Sequence, residues 1–172
     1  RTTSRRTPAM ASGAATFVGR ERERMALHEA LLEARSGKAT TAFLSGRSGM
    51  GKSALCARFL DDARSIEGTL VLEGRCYERE AVPYKAFDSL VDALARHLGR
   101  LTPDRRDALL PPDLHALGRL FPALSAIAPP DSERTATALD EMDPKELRRR
   151  AFAAAKELLR RLATQHLVVL VE

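Results

Sequence analysis

The chain has 172 residues, of which 44% are hydrophobic, and this is typical of one folded domain with a proper core. Its longest strongly apolar run, at 167–171, is far shorter than the ~20 residues of a membrane-spanning helix, so no membrane helix is expected. The net charge of +5 owes part of its excess to Arg1, Arg5 and Arg6. Because a nucleic-acid face needs charge clustered on a folded surface, this distribution argues against direct nucleic-acid binding.

Residues 1–15, RTTSRRTPAMASGAA, predict a flexible linker that precedes the folded domain. The stretch begins with Arg and lacks the apolar segment of a secretory signal, and its Arg, Ser and Thr content is commoner in linkers than in transit peptides. We therefore expect an interior piece of a longer chain, with the folded domain at 16–172.

The rest of the chain alternates helical and strand patterns, which indicates an α/β domain with a parallel sheet. The segment 101–130 breaks into short helical pieces, and PPDSERTATALDEMD at 129–143 predicts a polar connector. In chain order, the patterns predict a helix over 21–36, a strand over 40–45, a helix over about 52–63, a buried parallel strand over 68–74, a helix between Pro83 and Gly99, a helix from Asp143 to about Thr164, and a strand over 167–171.

Apolar residues at helical spacing predict the faces that three of these helices bury. The last of the three also has a start signal, because Asp143 can cap its N-terminus and Pro144 suits its first position. The predicted buried positions are Leu27, Leu31 and Ala34 in the first helix, Phe87, Leu90, Val91, Leu94 and Leu98 in the helix before Gly99, and Leu147, Ala151, Ala155, Leu158 and Leu162 in the long helix.

GRSGMGKS at 46–53 matches G-x-x-x-x-G-K-S between a predicted strand and a predicted helix, the context of a phosphate-binding loop. Gly46 and Gly51 allow backbone angles in which successive N–H groups can surround a phosphate. We expect Lys52 against the outer phosphates and Ser53 on Mg²⁺, with the helix N-terminus aimed at the same anion. The predicted nucleotide-binding residues of this loop are Gly46, Arg47, Ser48, Gly49, Met50, Gly51, Lys52, Ser53 and Ala54. A glycine-rich turn with a surface lysine and no ligand is the alternative.

FVGRERE at 17–23 and GRSGMGKS together resemble the AAA-related P-loop ATPase modules of the STAND signalling class, which occur fused to bacterial serine/threonine protein kinases and LuxR-type regulators. GRCYEREAVPYKAFDSLVDAL at 74–94 also resembles the kinase-associated subset. The resemblance covers almost everything from Phe17 onward and implies a three-layer α/β/α P-loop fold. It further implies that Val18, Gly19 and Arg20 lie beside an adenine, so that the nucleotide is ATP rather than GTP.

LVVLVE at 167–172 resembles the Walker B strand of this class, and Glu172 falls on its first acid, where the family usually has Asp. The resemblance makes Glu172 and Ser53 the candidate Mg²⁺ residues, and a plain polar strand end is the alternative. The family's second acid would come after Glu172, and the family places a further strand between the loop strand and the Walker B strand. We therefore expect a domain truncated at the Walker B strand, with little or no hydrolysis, and the sequence identifies no catalytic residue.

These features favour a module that binds Mg-ATP and acts as a nucleotide-dependent switch in a multidomain bacterial signalling protein. Its partners would be covalently attached output or sensor domains, with nucleotide-dependent self-association as a further expectation. Two alternatives stay open: an origin-recognition-like AAA ATPase acting on DNA, suggested by the pI of about 9.7, and a scaffold that binds ATP without hydrolysing it. Cys56 and Cys76 have neither metal-ligand nor disulfide spacing, which favours the reducing cytoplasm.

Overall fold

The computed structural model describes residues 19–74, 87–129 and 133–171. The expected linker at 1–15, Val18, Glu172 and the start of the helix predicted after Pro83 lie outside the described residues. The chain divides between Phe59 and Leu60 into two compact units. In chain order, the elements are α1 (Glu21–Arg35), α2 (Lys52–Arg64), β1 (Thr69–Glu73), α3 (Asp88–Gly99), α4 (Pro103–Leu109), α5 (Leu114–Leu120), α6 (Pro122–Ser125), α7 (Glu133–Asp140), α8 (Pro144–Ala163) and β2 (Leu167–Val171).

Helix α1 forms where its apolar spacing predicts, and Leu31 on its stripe is buried. Gly37, with a φ of +91°, follows the last turn, and its N–H donates to the Ala34 carbonyl at 3.0 Å. This left-handed glycine ends the helix. The His28 ring meets the Phe59 ring of α2 edge to face, with centroids 6.0 Å apart.

The predicted strand at 40–45 is wrong, because these residues form neither strand nor helix. A strand is stabilised by hydrogen bonds to a neighbouring strand, and the sheet among the described residues pairs β1 only with β2. The side chain of Phe43 in this segment is 92% exposed. Local β-propensity alone therefore does not make a strand here.

The sheet pairs β1 and β2 in parallel, which confirms the predicted parallel orientation of the two strands. Leu70 lies opposite Val168 and Leu72 opposite Leu170, and Gly74 extends the ladder by donating to the Val171 carbonyl at 2.7 Å. Leu72 is buried and Leu70 and Val168 pack against the core, whereas Val71 is only half-buried. The expectation of a strand buried on both faces is therefore wrong for β1, because only one face packs on the hydrophobic core.

The core of the second unit is built mainly from helices, with α8 packed against α4, α5 and β2, and α3 packed against α6 and β1. The stripe predicted for α3 is confirmed at Leu90, Val91, Leu94 and Leu98, but Phe87 is 43% exposed, since it precedes the helix. In α8 the predicted stripe residues Ala151, Leu158 and Leu162 are buried, as is Ala154, and Leu147 and Ala155 are partly buried against the same core.

The polar connector expected at 129–143 contains helix α7, so that prediction is wrong over Glu133–Asp140. Leu139 is buried in the hydrophobic core, and its burial holds one side of this otherwise polar helix against that core. The broken segment before it forms three short helices, two of which begin at a proline in the favoured first position. Within the described residues, no helix is both long enough and apolar enough to cross a membrane.

Candidate nucleotide-binding site

The glycine-rich loop at 46–51 adopts a backbone that only glycine accommodates easily. Gly46, Gly49 and Gly51 have φ angles of +156°, +79° and +77°. A Cβ on Gly49 or Gly51 would meet nothing within 4 Å, so these positions need glycine for backbone conformation rather than for space. The G-x-x-x-x-G-K-S pattern predicts this role for Gly46 and Gly51. Gly49 has the same role, although it lies at a variable position of that pattern. The sequence signal for it is simply that it is a glycine inside the loop.

The loop leads directly into α2, whose first residue is Lys52. The Met50 N–H donates to the Arg47 carbonyl at 3.4 Å and closes the turn, and the Leu55 N–H donates to the Gly51 carbonyl at 3.0 Å. The first N–H groups of a helix have no acceptor within the helix, and no acidic side chain lies in the first turn of α2. The start of α2 therefore presents free donors and partial positive charge, which suit an anion.

The Lys52 side chain folds back over the loop. Its Nζ donates to the Gly46 carbonyl at 2.7 Å and to the Arg47 carbonyl at 3.1 Å. Carbonyl oxygens are weaker partners for an ammonium group than phosphate oxygens, because only the latter carry a full negative charge. The ammonium group is thus held above the loop by bonds that an arriving phosphate can replace.

The remaining loop positions are open to solvent. Arg47, Ser48 and Met50 are exposed, as are Ser53 and Ala54 in the first turn of α2. A ligand can therefore reach the loop backbone and the Ser53 hydroxyl from outside. The structure brings all nine predicted loop residues together around one turn and one helix start.

Arg20 comes from the upstream motif and reaches the same loop. Its φ is +66° and its guanidinium donates to the Met50 carbonyl, while its Nη1 lies 3.8 Å from a Glu23 carboxylate oxygen. Gly19 before it also has a positive φ, of +93°. The family resemblance implied that Arg20 lies beside an adenine, but no pattern in the sequence indicated its bond to the loop.

Two further polar features lie outside the loop. Burial raises the pKa of the Cys56 thiol, so this cysteine stays protonated at neutral pH. His97 and His166 meet edge to face with ring centroids 5.5 Å apart, and burial, His166 and Arg100 lower the pKa of His97. The two histidines are 69 positions apart in the sequence, and no spacing rule links them. Neither feature supplies a group to the loop.

The glycine-rich loop that leads into α2 and the small parallel sheet fit an AAA-type P-loop ATPase module with an α/β fold. A family model described as the AAA ATPase domain matches residues 16–172. The chain therefore belongs to the AAA ATPase domain family, and nucleotide binding is the property of that class. Such domains generally bind ATP together with Mg²⁺. No curated protein and no solved structure was found to match the chain.

Proposed function

We propose that the chain binds Mg-ATP at Gly46–Ser53 and that this binding is its primary function. The observation that carries the proposal is the loop itself, in which three positive-φ glycines lead into an acid-free helix start beneath the Lys52 ammonium group. This arrangement fits a triphosphate, because the first turn of α2 carries no acidic side chain and the Lys52 ammonium group lies against the loop. The proposed binding residues also include Val18, Gly19 and Arg20 on the adenine side.

The proposed metal residue within the described part of the chain is Ser53. In residues 19–74, 87–129 and 133–171 no three His, Cys, Asp or Glu side chains group together in a way that could hold a metal ion. Mg²⁺ usually keeps several waters and takes phosphate oxygens with only one or two protein ligands. Bound Mg²⁺ would neutralise phosphate charge, with the Ser53 hydroxyl as one ligand and Glu172 as the proposed second metal neighbour.

We further propose that ATP binding serves as a regulatory switch in a multidomain bacterial signalling protein. The support is the resemblance of FVGRERE and GRSGMGKS to STAND modules fused to protein kinases and LuxR-type regulators. That resemblance also supports the three-layer α/β/α arrangement, and the spacing of Cys56 and Cys76 supports a cytoplasmic setting. Hydrolysis then resets the switch in the complete signalling protein, and self-association belongs to its ATP-bound state.

The test is the affinity of the full chain for ATP, measured by calorimetry with Mg²⁺ present. Replacing Lys52 by Ala removes the ammonium group that bonds to the Gly46 and Arg47 carbonyls and should weaken ATP binding by at least about tenfold, as expected for a lost charge-assisted bond to phosphate. ATP should also raise the melting temperature of the parent but not of Lys52→Ala.

The matched control is Lys38→Ala, since Lys38 is exposed and paired with Glu33 at 3.2 Å, outside the loop. It removes the same charge and the same side-chain length, and should leave ATP affinity unchanged within about twofold, as for a surface charge. Equal ATP affinity of Lys52→Ala and the parent would overturn the proposed site. Tighter binding of GTP than of ATP would overturn the adenine assignment.

A further inference from the structure

Arg20 has an unusual backbone for an arginine. It is the one non-glycine residue among those described that has a positive φ, and it directly precedes α1. A side chain with a Cβ is disfavoured in the left-handed region, and residues held there mark places where the surrounding structure fixes the conformation. Gly19, also at positive φ, lets the chain turn sharply just before Arg20. This double turn directs the Arg20 side chain toward the phosphate loop.

Two contacts then hold the Arg20 guanidinium. Its Nη2 donates to the Met50 carbonyl, and Glu23 in the first turn of α1 lies beside its Nη1. Only 23% of the Arg20 side chain is exposed, whereas Arg22, two residues later, is exposed. Arg20 is therefore a specific, mostly buried link to the loop and not one more cation on a solvated helix.

The bond to the Met50 carbonyl fixes one peptide plane of the loop. In a trans peptide the carbonyl of one residue and the N–H of the next point in opposite directions. The bond from Arg20 therefore holds the Gly51 N–H pointing away from Arg20. Lys52 fixes a second plane in the same way, because it holds the Gly46 carbonyl at 2.7 Å and so orients the Arg47 N–H. The two cations act on opposite ends of an otherwise exposed loop.

We propose that Arg20 is a positioning residue for the phosphate loop: it orders the Met50–Gly51 peptide so that affinity for the phosphates depends on Arg20 even when no base is present. This inference rests on the proposed ATP site. It assigns to Arg20 a role that a neighbour of the adenine would not have, because an adenine neighbour acts only on ligands that carry a base.

The probe is inorganic tripolyphosphate with Mg²⁺, compared with ATP on the full chain. Arg20→Asn removes the guanidinium, and asparagine tolerates the left-handed backbone better than other residues with a side chain of this size. We expect this variant to lose about tenfold in affinity for both ligands, as for the loss of one charge-assisted bond that preorganises the site. Arg20→Lys keeps a donor and should recover part of the affinity for tripolyphosphate.

The control is Arg22→Asn, which makes the same exchange and loses the same charge on the exposed surface of α1. It should bind both ligands as the parent does. A second readout needs no ligand: Arg20→Asn should shift the Gly51 amide and Met50 carbonyl NMR signals far more than Arg22→Asn does, at an unchanged helix content by circular dichroism.

The outcomes separate this inference from the proposed function. If Arg20→Asn binds tripolyphosphate as tightly as the parent, Arg20 does not position the loop, whether or not ATP affinity falls. If ATP binding by the parent is absent or insensitive to Lys52→Ala, the proposed site fails and this inference fails with it. A similar loss for both ligands, restricted to Arg20 and partly rescued by Lys, supports the inference.

Discussion

At the scale of single residues, Gly118 sets how closely two short helices approach. It lies in α5 and is buried, and the Ser125 hydroxyl at the end of α6 donates to its carbonyl at 3.1 Å. A Cβ added to Gly118 would lie 2.7 Å from the Ser125 Oγ and 3.5 Å from the Ser125 Cα. Glycine is needed here for close approach, and this differs from its role at Gly49 and Gly51, where the backbone angle requires it.

Replacing Gly118 by Ala should lower the free energy of unfolding, because overpacking a core usually costs about 1–3 kcal/mol. The new methyl group must displace the Ser125 hydroxyl and break its bond to the Gly118 carbonyl. This loss should exceed the gain of about 1 kcal/mol that alanine brings to a helix interior. Urea unfolding followed by circular dichroism measures the difference.

Gly99→Ala is the matched control, because a Cβ at the end of α3 would meet nothing within 4 Å. The same exchange should there be neutral or stabilise the chain by up to about 1 kcal/mol. If Gly118→Ala is as stable as Gly99→Ala, the close contact with Ser125 does not limit the packing of α5 on α6.

At the scale of elements, α8 combines features that its sequence predicts with one that it does not. Asp143 caps the helix as predicted, since its Oδ1 accepts from the N–H groups of Lys145 at 2.8 Å and Glu146 at 3.3 Å. At the other end, Arg161 donates to the Leu110 carbonyl at 2.7 Å and so binds the residue that follows α4. The cap is a local signal, whereas the Arg161 bond spans 51 positions and is set by packing alone.

Two glutamates of α8 each bind two arginines one turn further on. Glu146 accepts from Arg149 at 2.6 Å and from Arg150 at 3.1 Å, and these hydrogen bonds lower the pKa of Glu146 to about 2. Glu157 is placed in the same way against Arg160 and Arg161, and its pKa is also lowered to about 2. Both groups follow the i, i+3 and i, i+4 spacing at which oppositely charged side chains meet on a helix.

The two glutamates should make the chain less stable as the pH falls from about 4.5 toward 2. Their pKa in the folded chain, about 2, lies below the ordinary value of 4.5. Their contribution is therefore complete above that ordinary value and is lost as they become protonated. Because both side chains are partly exposed to solvent, the effect on stability should be small and should weaken in concentrated salt.

Carboxyl ¹³C NMR of the folded chain gives the measurement. The Glu146 signal should keep the shift of an ionised carboxylate well below pH 4.5, and Arg149→Gln should move its titration back toward that ordinary value. Arg105→Gln, a change on α4 that leaves both glutamate groups intact, should not move it. A Glu146 midpoint at 4.5 in the parent would show that the arginine bonds do not persist in solution.

At the scale of the whole molecule, the sequence predicts those elements whose signal is local. The periodic stripes of α3 and α8 and the loop motif at 46–53 are each read from neighbouring residues, and the structure has a helix or a turn at each. The strand expected at 40–45 fails because a strand depends on a partner, which no local pattern specifies. Helix α7 was missed because its sequence is mostly polar, with Leu139 as the one buried residue among its described side chains. The Arg20 bond to Met50 was missed because it joins residues 30 positions apart.

The stability of the second unit should depend most on the core beneath α8, and Leu158 tests this. Its side chain is 0% exposed, and α8 packs on α4, α5 and β2 around it. Leu158→Ala removes one methine and two methyl carbons from a closed interior and should cost about 2–5 kcal/mol, since the surrounding helices can relax only partly into the cavity. For a chain of this size, that loss should lower the melting temperature by roughly 5–15 °C.

Leu32→Ala on α1 is the control for Leu158→Ala, because the same atoms are removed from a side chain that is 64% exposed. It should change the free energy of unfolding by no more than about 0.5 kcal/mol, since little apolar surface there leaves water on folding. Comparable losses for the two variants in urea unfolding would mean that the core beneath α8 is loosely packed in solution. A large loss for Leu158→Ala alone ties the cooperative stability of α3, α5, α8 and the small sheet to one closely packed interior.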